Sequence, residues 1–72
     1  MTVFGERIKL LRSEKNILQK DIAEYLNLHV RTYQYYEAST LEPSLENLVK
    51  LADYFQVSTD YLLGRSDNQN MK

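Results

Sequence analysis

Apolar residues recur along this chain at helical spacing, and no segment shows the strict alternation of a half-buried strand. Phe4, Ile8 and Leu11 stand at i, i+4 and i+7 and predict a first helix over residues 4–14. Glu6, Arg7, Lys9 and Glu14 take most of its other faces, and Lys15 and Asn16 break the pattern. A second helix is expected from Gln19 to Leu26, with Ile22, Ala23 and Leu26 inward. Asn27 follows as a residue that tolerates the left-handed backbone of a tight turn. A third helix is expected over residues 30–38. On its wheel Tyr33 and Tyr36 share one side and Arg31, Gln34, Tyr35 and Ala38 the opposite one, with Val30 between.

Residues 39–43 read as a loop, because Pro43 disfavours helix at the residue before it. Ser44 is placed to cap a fourth helix carrying Leu45, Leu48, Leu51, Ala52 and Phe55 inward. Ser58 is placed to cap a short fifth helix, Thr59 to Leu63, which Gly64 terminates. The expected fold class is therefore all-α, a compact five-helix domain over residues 1–65. Residues 66–72 show no apolar periodicity until Met71 and are expected to form a flexible tail.

Composition narrows the chemistry. The chain has 72 residues, no cysteine, one histidine and two glycines. A disulfide scaffold, a thiolate metal site and a cysteine nucleophile are excluded, and a phosphate-cradling glycine loop has no material. No metal, cofactor or catalytic residue set can be assembled, so a non-enzymatic role is expected. No apolar run approaches a membrane span, and charges interrupt the N-terminal stretch, so a soluble, cytoplasmic protein is expected. At this size, without disulfides or metal, a domain needs efficient helix packing or a partner subunit, which favours a dimer.

Net charge is −1, which by itself argues against nucleic acid, but the charge is unevenly spread. Up to Tyr36 six basic residues face four acidic ones; from Glu37 onward three face six. Such a split permits an anionic ligand on one face only.

The most informative stretch is QKDIAEYLNLHVRTYQYYEA, residues 19–38: two short helices joined by a tight turn, with small Ala23 where they must approach closely. A second helix braced this way has a free face that can enter a major groove. Here the chain resembles the lambda-repressor and Cro-like helix-turn-helix family. The likeness runs from FGERIKLLR through LQKDIAEYL and YYEAS to EPSLENLVKLADYFQVSTDYLLGR, nearly the whole domain. It departs from the family pattern at Leu18, where Thr or Ser usually caps, at Asn27 and Ser39, usually Gly, at His29, usually Ser, and at Val30, often Gln or Arg.

The resemblance implies a sequence-specific double-stranded DNA binder, a small homodimeric repressor of a bacterial or phage operator, without a small-molecule effector site in this chain. It makes Gln19 a phosphate contact bracing the third helix, and it pairs Glu37 with Arg12. Arg31, the only cation of the third helix, is the candidate for a base edge, since Arg pairs bidentately with guanine. Gln34 on the same face suits adenine, and Tyr35 suits sugar or phosphate. Val30 is placed to touch a thymine methyl, His29 to meet a phosphate as a cation, and Lys20 to add backbone affinity. Lys15 shares that last reading. For a dimer interface the resemblance points to residues 56–63, with Val57, Tyr61, Leu62 or Leu63 extending an apolar patch. The rival reading is a protein-interaction module, antitoxin-like for example, that keeps the fold with weak DNA binding. Its basis is the acidic isoelectric point, the apolar Val30 and the Tyr33, Tyr35 and Tyr36 cluster.

Overall fold

The computed structural model describes residues 2–70, so the tail expectation for Met71 and Lys72 lies outside the described residues. Among these, five α-helices follow one another: α1 (Thr2–Glu14), α2 (Gln19–Tyr25), α3 (Val30–Glu37), α4 (Leu45–Phe55) and α5 (Thr59–Leu63). The apolar stripes read from spacing converge on one core: Phe4, Ile8 and Leu11 from α1, Ile22, Ala23 and Leu26 from α2 and its end, and Tyr33 and Tyr36 from α3. Leu48, Leu51, Ala52 and Phe55 join them from α4. Phe4, Tyr33 and Tyr36 meet edge to face, with ring centroids 6.2 Å apart in both pairs.

Every helix ends in the same way. The residues after the five helix ends, Asn16, Asn27, Ser39, Gln56 and Gly64, have φ of 57°, 60°, 63°, 58° and 81°. Each left-handed residue lets the next N–H reach back to the last turn: Ile17 to the Arg12 carbonyl, Leu28 to Ala23, Thr40 to Tyr35, Val57 to Ala52 and Arg65 to Asp60. This satisfies carbonyls that the helix itself leaves without donors and turns the chain sharply enough for short linkers. Asn and Gly suit that backbone; Ser39 and Gln56 adopt it against a steric cost of about 1 kcal/mol each. At the helix starts, Ser44 Oγ accepts from Asn47 N at 3.1 Å and Ser58 Oγ from Tyr61 N at 2.9 Å. Leu18 and His29 provide no such side-chain cap for α2 and α3.

Two expectations need correction. Leu45 is 82% exposed. It lies one turn before Leu48, where the apolar stripe of α4 runs past the edge of the core. Val57, Tyr61 and Leu62 form no surface patch, because all three are buried within the chain. The sharp turn at Gln56 swings α5 back against α1, and that packing consumes the apolar faces an interface would have used. Residues 66–69 make hydrogen bonds to α1 and to the start of α5.

That last contact centres on Arg7. Its Nη1 donates to the carbonyls of Tyr61 and Ser66 at 2.6 and 2.7 Å, and Nη2 reaches Asp67 Oδ1 at 2.8 Å. The guanidinium also sits 4.1 Å from the centre of the Tyr61 ring. Beyond it, Ser58 N donates to the Gln69 carbonyl at 2.9 Å. Arg7→Ala removes two charge-assisted bonds to carbonyls and a ring contact, and should cost about 1–2 kcal/mol. Hydrogen exchange should then show the Ser58 and Arg65 amides opening faster while the α1–α3 core keeps its protection. Unchanged exchange at both amides would show that Arg7 does not hold this segment.

Candidate nucleic-acid interface

α2 and α3 are joined by the turn at Asn27, and Ala23 is buried where the two helices approach. Tyr33 and Tyr36 anchor the inner face of α3: Tyr33 is fully enclosed, and the Tyr36 hydroxyl accepts from Asn47 Nδ2 at 3.1 Å. With those positions committed inward, the opposite face is forced out. Val30, Arg31, Gln34, Tyr35 and Ala38 are all exposed, and so are His29 before α3 and Lys20 on α2. Gln19 is half-buried between the two helices. Neither Lys20 nor Arg31 forms an ion pair with an acidic side chain among the described residues.

Behind this face lies a polar network centred on Glu37. Arg12 Nε donates to Glu37 Oε2 at 2.6 Å and Arg12 Nη2 to Oε1 at 3.3 Å. The Tyr33 hydroxyl donates to Oε2 at 2.6 Å, and Gln19 Nε2 to Oε1 at 3.0 Å. Both carboxylate oxygens therefore have two donors each among the described residues, matching the acceptor capacity of an ionised carboxylate. Arg12 Nη1 turns the other way, to the Ile17 carbonyl at 2.9 Å, and so ties the end of α1 to the start of α2. The side chains of Arg12 and Glu37 are 17% and 5% exposed.

The electrostatics follow from this geometry. Burial pushes Glu37 toward the neutral acid, but donors from Arg12, Tyr33 and Gln19 outweigh it and hold the carboxyl below its ordinary range. The bond to Glu37 raises Arg12 further, against the effect of burial. Burial, and then the bond to Glu37, keep the Tyr33 hydroxyl protonated well above the usual phenol range.

Two connections here were not read from the sequence. The Tyr33–Glu37 bond had a visible signal, the i, i+4 spacing on one helix. The second had none: Gln34 Nε2 donates to Gln19 Oε1 at 3.1 Å, linking the outward face of α3 to the buried network. Tyr25 and Tyr54, without an assigned role in the sequence, form a lateral brace. Their rings lie 4.7 Å apart and the Tyr25 hydroxyl donates to the Lys50 carbonyl at 3.3 Å, fastening α2 to α4.

Fold and site together define a helix-turn-helix module, with α2 as the bracing helix and α3 presenting an exposed, mostly polar face. Residues 8–62 match the family described as helix-turn-helix, and the chain belongs to that family. It is 41% identical over 61 residues to the SPbeta prophage-derived uncharacterized HTH-type transcriptional regulator YonR of Bacillus subtilis, covering 85% of this chain and 56% of that protein. It is 42% identical over 60 residues to the HTH-type transcriptional regulator AnsR of the same organism, covering 83% and 52%. To the cryptic phage CTXphi transcriptional repressor RstR of Vibrio cholerae it is 35% identical over 69 residues, covering 92% and 62%. The chain thus spans between about half and three-fifths of the length of these relatives. Among the described residues no helix is long and apolar enough to cross a membrane.

Proposed function

We propose that this chain is a sequence-specific double-stranded DNA-binding module of a transcriptional regulator, acting as a two-fold dimer that represses a bacterial or phage operator from the cytoplasm. The observation that carries the reading is the outward face of α3, where Arg31, Gln34 and Tyr35 stand exposed on a helix whose other side is locked into the core. The naming of relatives as transcriptional regulators, one of them a phage repressor, supports it. In a dimer the two α3 helices sit ~34 Å apart, one turn of duplex, so that both meet the same DNA face. Binding needs no cofactor, and no catalytic step is involved.

Arg31 and Lys20 do separable jobs in this scheme. Arg31 meets a base edge; Lys20, beside Gln19 at the start of α2, meets a phosphate, as do Gln19 and His29. Val30 contacts a thymine methyl at the edge of the groove, and Tyr35 packs on sugar or phosphate. Arg31→Ala should cost about 1–3 kcal/mol on the best operator and relax preference at one position per half-site. Lys20→Ala should weaken all sequences evenly and flatten the salt slope by about one unit for each phosphate it no longer neutralises. Titration of selected and scrambled duplexes at several salt concentrations separates the two. An unchanged specific-to-nonspecific ratio in Arg31→Ala removes the base-reading role.

Leu45 and Val49, one helical turn apart and both exposed on α4, favour a second reading in which the module binds protein. Salt decides between them, since phosphate contacts weaken steeply with added salt and an apolar interface does not.

A further inference from the structure

Leu45 is 82% exposed, and Val49, one turn further along α4, is 50% exposed. Two apolar side chains at this spacing lie side by side on the helix surface. Their direction is set by what the rest of α4 does. Asn47 donates to the Tyr36 hydroxyl of α3, and the Tyr54 ring meets that of Tyr25 on α2. At about 100° per residue, Asn47 and Tyr54 share one side of α4, and Leu45 and Val49 fall roughly opposite them. The patch is therefore turned away from α2 and α3. Acidic residues rim it. Asp53 stands exposed one turn beyond Val49, Glu46 beside Leu45, and Glu42 three residues before Leu45. Glu46 is 3.3 Å from Lys50, whereas Glu42 and Asp53 form no ion pair among the described residues.

These charges decide the occupant. Duplex DNA is excluded, because its phosphates would meet carboxylates. A second copy of this chain is disfavoured as well: in a two-fold pair the same patch meets itself, and the acids of the two copies would stand against one another. The complement is an apolar surface bearing cations. We propose that α4 is a second, protein-binding face of this module, and that it docks an amphipathic helix of a partner protein. That helix carries two apolar side chains one turn apart, with Lys or Arg beside them. It packs on α4 at an interaxial distance of about 8–10 Å, its apolar pair on Leu45 and Val49 and its cations toward Glu42 and Asp53. The contact is small, and so of the weak, transient kind. Protein binding here accompanies DNA reading instead of replacing it, since the patch and α3 lie on different sides. Only that simultaneity rests on the DNA-reading role of α3 proposed above; the docking itself does not.

The probes are three synthetic peptides, stapled so that they are equally helical. One carries two leucines four residues apart flanked by lysines. The second flanks the same leucines with glutamates, and the third keeps the lysines but has serines for the leucines. Titrated into the isotopically labelled full chain, the first should shift the amide resonances of Leu45, Glu46, Val49 and Asp53 most. It should bind roughly tenfold more tightly than either of the others. Leu45→Ser with Val49→Ser should abolish those shifts with little change in Tm, because both side chains are exposed. Glu46→Lys with Asp53→Lys should turn the preference toward the glutamate peptide. Equal affinity for all three peptides, a preference that charge reversal leaves in place, or shifts centred away from α4 overturns the proposal. So does a change in the same α4 resonances on dilution of the chain alone, which assigns the patch to a second copy. The Leu45→Ser, Val49→Ser variant should also bind duplexes selected from a random pool as tightly as the wild type does. Weakened DNA binding in it overturns the separation of the two faces. A chain that selects no duplex removes the DNA-reading function and the simultaneity with it, while the peptide titrations alone uphold or overturn the docking surface.

Discussion

Glu37→Ala should destabilise the protein by about 3–5 kcal/mol, a large share of the roughly 5–15 kcal/mol that holds a typical domain folded. The loss does not measure the worth of the ion pair, since desolvating two charges offsets much of their attraction. It comes from what remains: a mostly buried Arg12 guanidinium without its carboxylate, a Tyr33 hydroxyl without an acceptor, and a Gln19 amide without its anchor. Replacing both partners, as in Arg12→Met with Glu37→Leu, should therefore cost less than Glu37→Ala alone. Chemical denaturation of the variants checks the order, and a double substitution that costs as much as the sum of its parts would contradict it. The wild-type protein should also show an acid limb that Glu37→Ala flattens. Because the folded carboxyl titrates below the unfolded value of about 4.3, the unfolded chain binds more protons between the two values, and stability rises with pH there. The contribution is fully present above the unfolded value and is lost as pH falls through the folded one.

Gly5→Ala should lower stability although it places a better helix former inside α1. Propensity alone favours alanine by about 1 kcal/mol. The added Cβ, however, would lie 2.7 Å from the carbonyl oxygens of Tyr36 and Glu37 and would also meet Ser39 Oγ. Those carbonyls belong to the last turn of α3, which the Ser39 and Thr40 amides close through bonds to Tyr36 and Tyr35. Backbone held in this way cannot yield like a side chain. Separating α1 from α3 instead would loosen the Phe4–Tyr36 contact and displace Glu37. The net cost should be about 2 kcal/mol, a fall in Tm of roughly 8–15 °C for a domain of this size. A rise in Tm would show that propensity prevails and that the helices separate without penalty.

Gly5 marks the limit of what spacing can reveal. On a helical wheel it is one more residue of α1, and only the close crossing of α1 with the end of α3 gives the missing side chain a purpose. The helix starts at Ser44 and Ser58 and the stop at Gly64 were legible because a cap acts within one turn, where neighbours in sequence are neighbours in space. The left-handed turns at Ser39 and Gln56 were not, since neither residue type signals that backbone. The outward placement of Arg31, Gln34 and Tyr35 was legible, because two tyrosines three residues apart define the inner face of α3. The route from Glu37 through Gln19 to Gln34 was not, because it joins positions 18 and 15 residues apart in the chain.

The sequence by itself determined five helices, their approximate ends, most of the buried stripe on each and the exposed face of the third. All of these follow from interactions spanning a few residues, and from the requirement that one face of each helix leave water. Only the tertiary structure decided which apolar residues were left over. Val57, Tyr61 and Leu62 went inward because α5 folds back on α1, and Leu45 stayed out because the core ends before it. Tertiary contact likewise brought Arg7 onto residues 61–67 and closed the acceptors of Glu37 with donors from three helices. Periodicity states that a residue has an inner or outer side; what stands opposite depends on how helices cross, and that is set by the packing of the whole chain.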